Sequence, residues 1–163
     1  MEKERKGTIT IEGKVVSGVG EGAHYVCLTG YREQFKARLG FDPYPGTLNL
    51  RLSRSSLHRR RRLDSLSSIA IKGFTKDGVK CGDVNCFKVL VQGRVKGAAI
   101  IIDRTHYTSS TLEVIAPLRL REELGLRDGD MVRLEVFVEE NETDSRLQRS
   151  QENSPRKRWD NLS

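Results

Sequence analysis

Short runs of alternating apolar and polar residues, punctuated by glycine, proline and aspartate, restrict this chain to a fold made mainly of sheet. Thr8 to Val16 sets the pattern, because Ile9, Ile11 and Val15 recur at mostly even spacing among polar neighbours, and period two is that of a strand with one buried face. The same reading predicts strands at Thr47 to Leu52, Ile69 to Phe74, Phe87 to Gln92, Ala98 to Ile102, Thr111 to Ile115 and Met131 to Val138. Asp77-Gly78, Gly93 and Asp128-Gly129-Asp130 are the expected turns. Only two brief helices are expected: Tyr31 to Leu39, closed by Gly40, and Leu118 to Leu124, started by Pro117 and closed by Gly125. Many strands and no regular strand-helix repeat predict a compact β-barrel rather than a doubly wound sheet.

The 163 residues suit one domain, but the apolar material is unevenly spread. From Glu139 onward the chain is almost wholly polar, so residues 1–138 are expected to form the barrel and 139–163 a disordered tail. Residues Glu2 to Lys6 are all charged and no eighteen apolar residues stand together, which predicts a cytoplasmic protein with no membrane partner. Three cysteines are too few for a disulfide scaffold and are expected as free thiols, with Cys27 a small buried side chain in an apolar strand. Their spacing, and that of the three histidines, argues against zinc. A net charge of +7 favours polyanionic partners without choosing among nucleic acids, membranes and nucleotide phosphates. The run Arg59 to Arg62, within a polar excursion from Ser53 to Ser68, reads as a solvated loop or as a grip on RNA, the loop being the default.

Three segments carry chemistry. Ser17-Gly18-Val19-Gly20-Glu21-Gly22-Ala23 follows the first strand; it is neither a Walker loop nor a dinucleotide fingerprint, and it forms either a nest of amides for phosphate oxygens or a tight turn. In Pro45-Gly46-Thr47-Leu48-Asn49, Thr47 and Asn49 stand at i and i+2 on a strand. They are either a solvent-facing pair or two neutral oxygen donors for magnesium, which commonly takes only one or two ligands from protein and the rest from water and phosphate. Glu113, inside the apolar run Leu112 to Ala116, is either outward-facing or functional.

Taken together with Leu39-Gly40-Phe41 and with Pro117-Leu118-Arg119, these segments resemble the archaeal-type CTP-dependent riboflavin kinases over about residues 7 to 138. The resemblance implies a six-stranded cradle-loop (RIFT-like) barrel and an enzyme that moves the γ-phosphoryl group of CTP to the ribityl 5′-hydroxyl of riboflavin, giving FMN and CDP. It implies that Gly18, Val19, Gly20, Glu21, Gly22 and Ala23 cradle the nucleotide phosphates, that Leu118, Arg119, Leu120 and Arg121 help hold the cytidine nucleotide, and that Thr47 and Asn49 bind Mg2+. Thr105 and Glu113 would contact the flavin, with Glu113 also the candidate base. Arg51, Arg119 and Arg121 are candidate cations for the γ-phosphate. Some members carry an amino-terminal DNA-binding domain, for which the residues ahead of Thr8 leave no room, so no nucleic-acid partner is expected. The alternatives are a non-catalytic nucleic-acid-binding barrel of transcription-factor type, which Leu126 to Val132 would also suit, and a flavin-binding sensor.

Overall fold

The computed structural model describes residues 7–17, 21–102 and 110–139, and for 21–26 and 102 the backbone alone. Its elements run β1 (Thr8–Val16), α1 (Glu21–Leu39), β2 (Leu48–Leu52), α2 (Arg54–Arg62), a 3-10 turn (Leu63–Ser65), β3 (Ile69–Ile71), β4 (Phe74–Lys76), β5 (Val79–Cys81), β6 (Val84–Val91), β7 (Val95–Ile102), β8 (Thr111–Ile115), α3 (Leu120–Leu124) and β9 (Met131–Phe137). Strands pair in the order β6-β7-β8-β2-β1-β9, all antiparallel, and β9 pairs back onto β6 through Val89↔Val136 and Val91↔Leu134. Six strands therefore close a barrel, which leaves no open edge within the ring. The first half of β6 instead pairs with β3, and β4 and β5 form a separate hairpin.

Strand alternation sorts the side chains into two cores. Ile9, Ile11, Val15, Leu48, Leu50, Leu52, Val89, Leu112, Val114, Val132, Leu134 and Val136 fill the barrel interior. Residues between them on the outer face meet α1: Leu28, Tyr31, Phe35 and Leu39 recur at helical spacing and pack on Ile71, Val84, Ala98, Ile100 and Ile115. Mid-helix Gly30 is required by this contact, because a Cβ there would stand 2.1 Å from the Phe74 ring.

The mainly β barrel matches expectation, and the turns do so in detail. Asp77 and Gly78 have φ of 50° and 77°, Gln92 and Gly93 of 53° and 66°, the paired positive values that fit tight hairpins to the twist of their strands. Gly40 (φ 85°) and Gly125 (φ 61°) close α1 and α3 in the left-handed region.

Four expectations are corrected. The first helix begins at Glu21 rather than Tyr31, so Glu21, Gly22 and Ala23 belong to its first turn and only residues 17–20 remain between β1 and α1. Cys27 is on that helix rather than a strand, and it is disulfide-bonded to Cys81 of β5 across 54 positions instead of being a free thiol. Cys86 is free, and burial pushes its thiol up to about 12. The Ser53 to Ser68 excursion is largely helical. Residues 18–20 and 103–109, and the tail from residue 140, lie outside the described residues. Among the described residues no helix is long and apolar enough to cross a membrane.

Helix α2 explains part of the arginine run. β1 pairs with β2 only from Gly13 onward, which leaves the β2 side of Thr10 to Glu12 without a strand. Ser53 caps the helix by accepting from Ser56 N (3.2 Å); the buried Ser56 hydroxyl accepts from Glu12 N (2.8 Å), Ser53 N donates to Glu12 O (3.3 Å), and Arg59 Nη1 donates to Thr10 O (3.1 Å). Side chains thus replace the missing ladder, and four arginines in the last turn face the negative end of the helix dipole. Ser56→Ala leaves the part-buried Glu12 amide without its acceptor and is expected to destabilise the fold by ~1–3 kcal/mol in urea unfolding; an unchanged midpoint contradicts this edge-capping role.

Candidate functional site

Backbone pairing aligns the segments singled out from sequence. Val16, the last residue of β1, stands opposite Asn49 on β2, and Asn49 stands opposite Glu113 on β8. Glu113 in turn faces Ile100 on β7. Because Val15, Leu48, Leu50, Leu112 and Val114 occupy the interior, this row points to the outer face of the barrel. Asn49 and Glu113 are both half-buried, and Glu113 Oε1 is shielded from solvent. The row ends at Val16, the last residue of β1, so the end of β1, the amide of Asn49 and the carboxylate of Glu113 share one flank.

Around the end of the same strands a cavity of about 250 Å3 is lined by Tyr44, Pro45, Gly46, Thr47, Leu118, Arg119, Leu120 and Arg121, together with Leu48, Val114 and Ala116. The Pro-Gly-Thr turn and the Leu-Arg-Leu-Arg segment, more than seventy positions apart, form its opposing walls. Tyr44 N donates to Ala116 O (2.8 Å) and Gly46 N to Tyr44 O (2.8 Å), which ties the turn to the end of β8. From the other side Arg32 of α1 grips Asp42 through two hydrogen bonds of 2.6 Å. The Arg32 guanidinium holds the Asp42 carboxyl below the usual carboxylate range.

Arg121 is positioned rather than loose. Its Nη2 donates to Asp128 Oδ1 (2.6 Å) and to the carbonyl of Val16 (3.4 Å), and the Ser17 hydroxyl donates to Asp128 Oδ2 (2.9 Å). Gly129 N and Asp130 O hydrogen-bond to Val15 and pin this turn to the end of β1. Arg121, then Ser17, hold the Asp128 carboxyl below its ordinary 3.8. Arg119 is half-exposed and faces Glu122 at 3.7 Å.

Of the residues anticipated from sequence, Thr47, Asn49, Glu113, Leu118, Arg119, Leu120 and Arg121 fall on this continuous region. Glu21, Gly22 and Ala23 are placed only by backbone, in the first turn of α1; Gly18, Val19, Gly20 and Thr105 lie outside the described residues. Sequence reading missed Tyr44 as a wall and Asp128 as the anchor of Arg121, since Asp128-Gly129-Asp130 gave only a turn signal. The donor set suits magnesium: Thr47 and Asn49 are uncharged oxygen donors two positions apart, while among the described residues no three His, Cys, Asp or Glu side chains cluster to hold a metal. A metal seated here must take most ligands from water and phosphate, as magnesium beside a nucleotide does.

The chain is thus a closed six-stranded antiparallel barrel with a polar flank and an arginine-walled cavity beside it. The CTP-dep_RFKase family, described as Domain of unknown function DUF120, matches residues 15–136, and this chain belongs to it. A riboflavin kinase of Archaeoglobus fulgidus is 53% identical over 133 residues, covering 82% of this chain and 57% of that protein. One of Pyrobaculum islandicum is 47% identical over 132 residues (81% and 62%), and one of Methanosarcina mazei 46% over 125 (77% and 55%). The chain thus spans between 55% and 62% of the length of these relatives.

Asp128→Asn tests the anchoring of Arg121. A carboxyl whose folded pKa is depressed stabilises the fold above its unfolded value and stops doing so as pH falls through the folded one. Wild type is therefore expected to melt higher than Asp128→Asn at pH 6 to 7, the gap closing as pH drops below about 3.8 toward 2. A gap that is constant with pH contradicts the assignment.

Proposed function

We propose that this chain phosphorylates riboflavin at the ribityl 5′-hydroxyl with CTP as donor, giving FMN and CDP. The observation that carries the reading is the register that sets Val16, Asn49 and Glu113 side by side, next to a cavity walled by Thr47 and the Arg119 and Arg121 segment. Its support from kinship is that the relatives are named riboflavin kinases and the family label names CTP dependence.

In this reading the residue 18–20 segment and the start of α1 turn backbone amides toward the nucleotide phosphates. Leu118 to Arg121 hold the cytidine end. Thr47 and Asn49 would hold Mg2+, which when bound supplies charge neutralisation at the phosphate oxygens. Glu113, with Thr105, holds the ribityl hydroxyl, and its carboxylate orients or accepts the departing proton. O5′ bonds to Pγ as the bond from Pγ to the β-phosphate oxygen breaks; CDP leaves with that electron pair, and the proton passes through Glu113 or directly to solvent. A loose, charge-dispersed transition state makes alignment and electrostatics the main contributions, so a strong base is unnecessary. Residues 1–138 suffice for this chemistry, and residues 139–163 are dispensable.

The test is incubation of the purified chain with riboflavin, magnesium and each nucleoside triphosphate, with flavins resolved by chromatography. FMN is expected with CTP; no FMN with any donor overturns the reading. Asn49→Ala is expected to lower turnover by at least about 100-fold while leaving the thermal midpoint near wild type. Near-normal turnover in that variant removes Asn49 from the metal seat.

A further inference from the structure

The outer face carries a second row beside the first. Lys14 stands opposite Arg51, and Arg51 opposite Thr111. Alternation puts Lys14 on the side of Val16 and Arg51 on the side of Asn49, since Val15, Leu50 and Leu52 point into the core. Lys14 is therefore the diagonal neighbour of Asn49, and Arg51 that of Glu113. Such neighbours are ~7–8 Å apart at the backbone, within reach of long side chains. Both cations are exposed.

Most basic side chains nearby are already engaged. Arg121 is held by Asp128, Arg133 by Glu12, Arg60 by Asp64 and Arg32 by Asp42. Among the described residues Lys14 and Arg51 have neither a carboxylate nor a hydrogen-bond partner. Like charges directly opposite on antiparallel strands repel, so the placement is unfavourable for the barrel alone and becomes favourable when an anion lies between them. Helix α2 covers β1 at Thr10 and Glu12 and stops short of this pair.

We propose that Lys14 and Arg51 form a two-cation clamp on the phosphoryl group in transfer, and on the phosphate monoester that the acceptor becomes. The inference rests on the phosphotransferase reading and extends it, because neither the residue 18–20 segment nor the metal seat brings a side-chain cation to the γ-phosphate. While the O5′ to Pγ bond forms and the bond to the β-phosphate oxygen breaks, the three equatorial oxygens keep their negative charge. Cations carried on the outer face stabilise that charged state more than they stabilise neutral riboflavin. The clamp accordingly acts on turnover and on FMN retention, leaving riboflavin affinity unchanged.

The experiment compares wild type with Lys14→Gln, Arg51→Gln, Arg51→Lys and the double glutamine variant, in two readouts: CTP-driven FMN formation, and FMN and riboflavin affinities from quenching of flavin fluorescence without nucleotide. Each glutamine variant is expected to lose about 100-fold in kcat with KM for riboflavin within about threefold. The double variant should bind FMN about 10-fold more weakly with riboflavin binding unchanged, and Arg51→Lys should recover much of the loss because a point charge remains. Variants that turn over at the wild-type rate and keep the wild-type ratio of FMN to riboflavin affinity overturn the clamp while leaving the kinase reading intact. A wild-type protein that makes no FMN overturns both.

Discussion

Everything placed at the candidate site hangs from the ladder that joins β1, β2 and β8. Backbone hydrogen bonds fix which residue faces which, and a slip of one position would turn Asn49 into the core and Leu50 out to solvent. The buried leucines prevent that slip. Leu48, Leu50 and Leu52 lie in the interior with Leu112, Val114 and Val15, so the hydrophobic effect that packs the barrel also holds the polar row Val16, Asn49, Glu113 in line. Closure of the ring through β6 and β9 makes this register rigid from both sides.

A second layer of packing aims the loops. Helix α1 runs from the end of the glycine segment across the outer face, anchored by Leu28, Tyr31, Phe35 and Leu39, by the Cys27–Cys81 disulfide and by Arg32 on Asp42. Gln34 completes the docking: its side chain donates to Lys72 O (2.9 Å) and accepts from Lys72 N (2.8 Å), substituting for a strand partner at the edge of β3. The same helix therefore supports the segment that leads into β2. Opposite it, the Asp128 turn clasps Arg121 to the last residues of β1, while Tyr44 ties the other wall of the cavity to the end of β8.

The legibility of this arrangement in the sequence followed the range of the interactions involved. Alternation at Ile9, Ile11 and Val15 and at Val132, Leu134 and Val136, and turns such as Asp77-Gly78, are local and could be read directly. Thr47, Asn49, Glu113 and Arg119 to Arg121 stand in segments that keep a family pattern, yet that Asn49 lies against Glu113 is a consequence of pairing between strands some sixty positions apart. The early part of α1 was hidden because Val26, Cys27 and Thr29 have the look of a strand and Gly22 and Gly30 the look of breaks; Leu28, Tyr31, Phe35 and Leu39 supply the helical spacing in retrospect. The cysteine pair spans 54 positions and leaves no local trace. The arginine run reads locally as a solvated loop because nothing near it in sequence reveals that the β2 side of β1 needs capping at Thr10 and Glu12.

The central claim is that a metal-bound triphosphate and a hydroxyl acceptor meet on the flank defined by Val16, Asn49 and Glu113. A crystal structure of the chain with magnesium, a non-hydrolysable CTP analogue and riboflavin tests it most directly. The account predicts triphosphate density against the residue 18–20 segment, the cytosine in the cavity between Tyr44 and Arg121, and the ribityl chain ending at Glu113. Triphosphate bound on helix α2, or anywhere remote from Thr47 and Asn49, would contradict it.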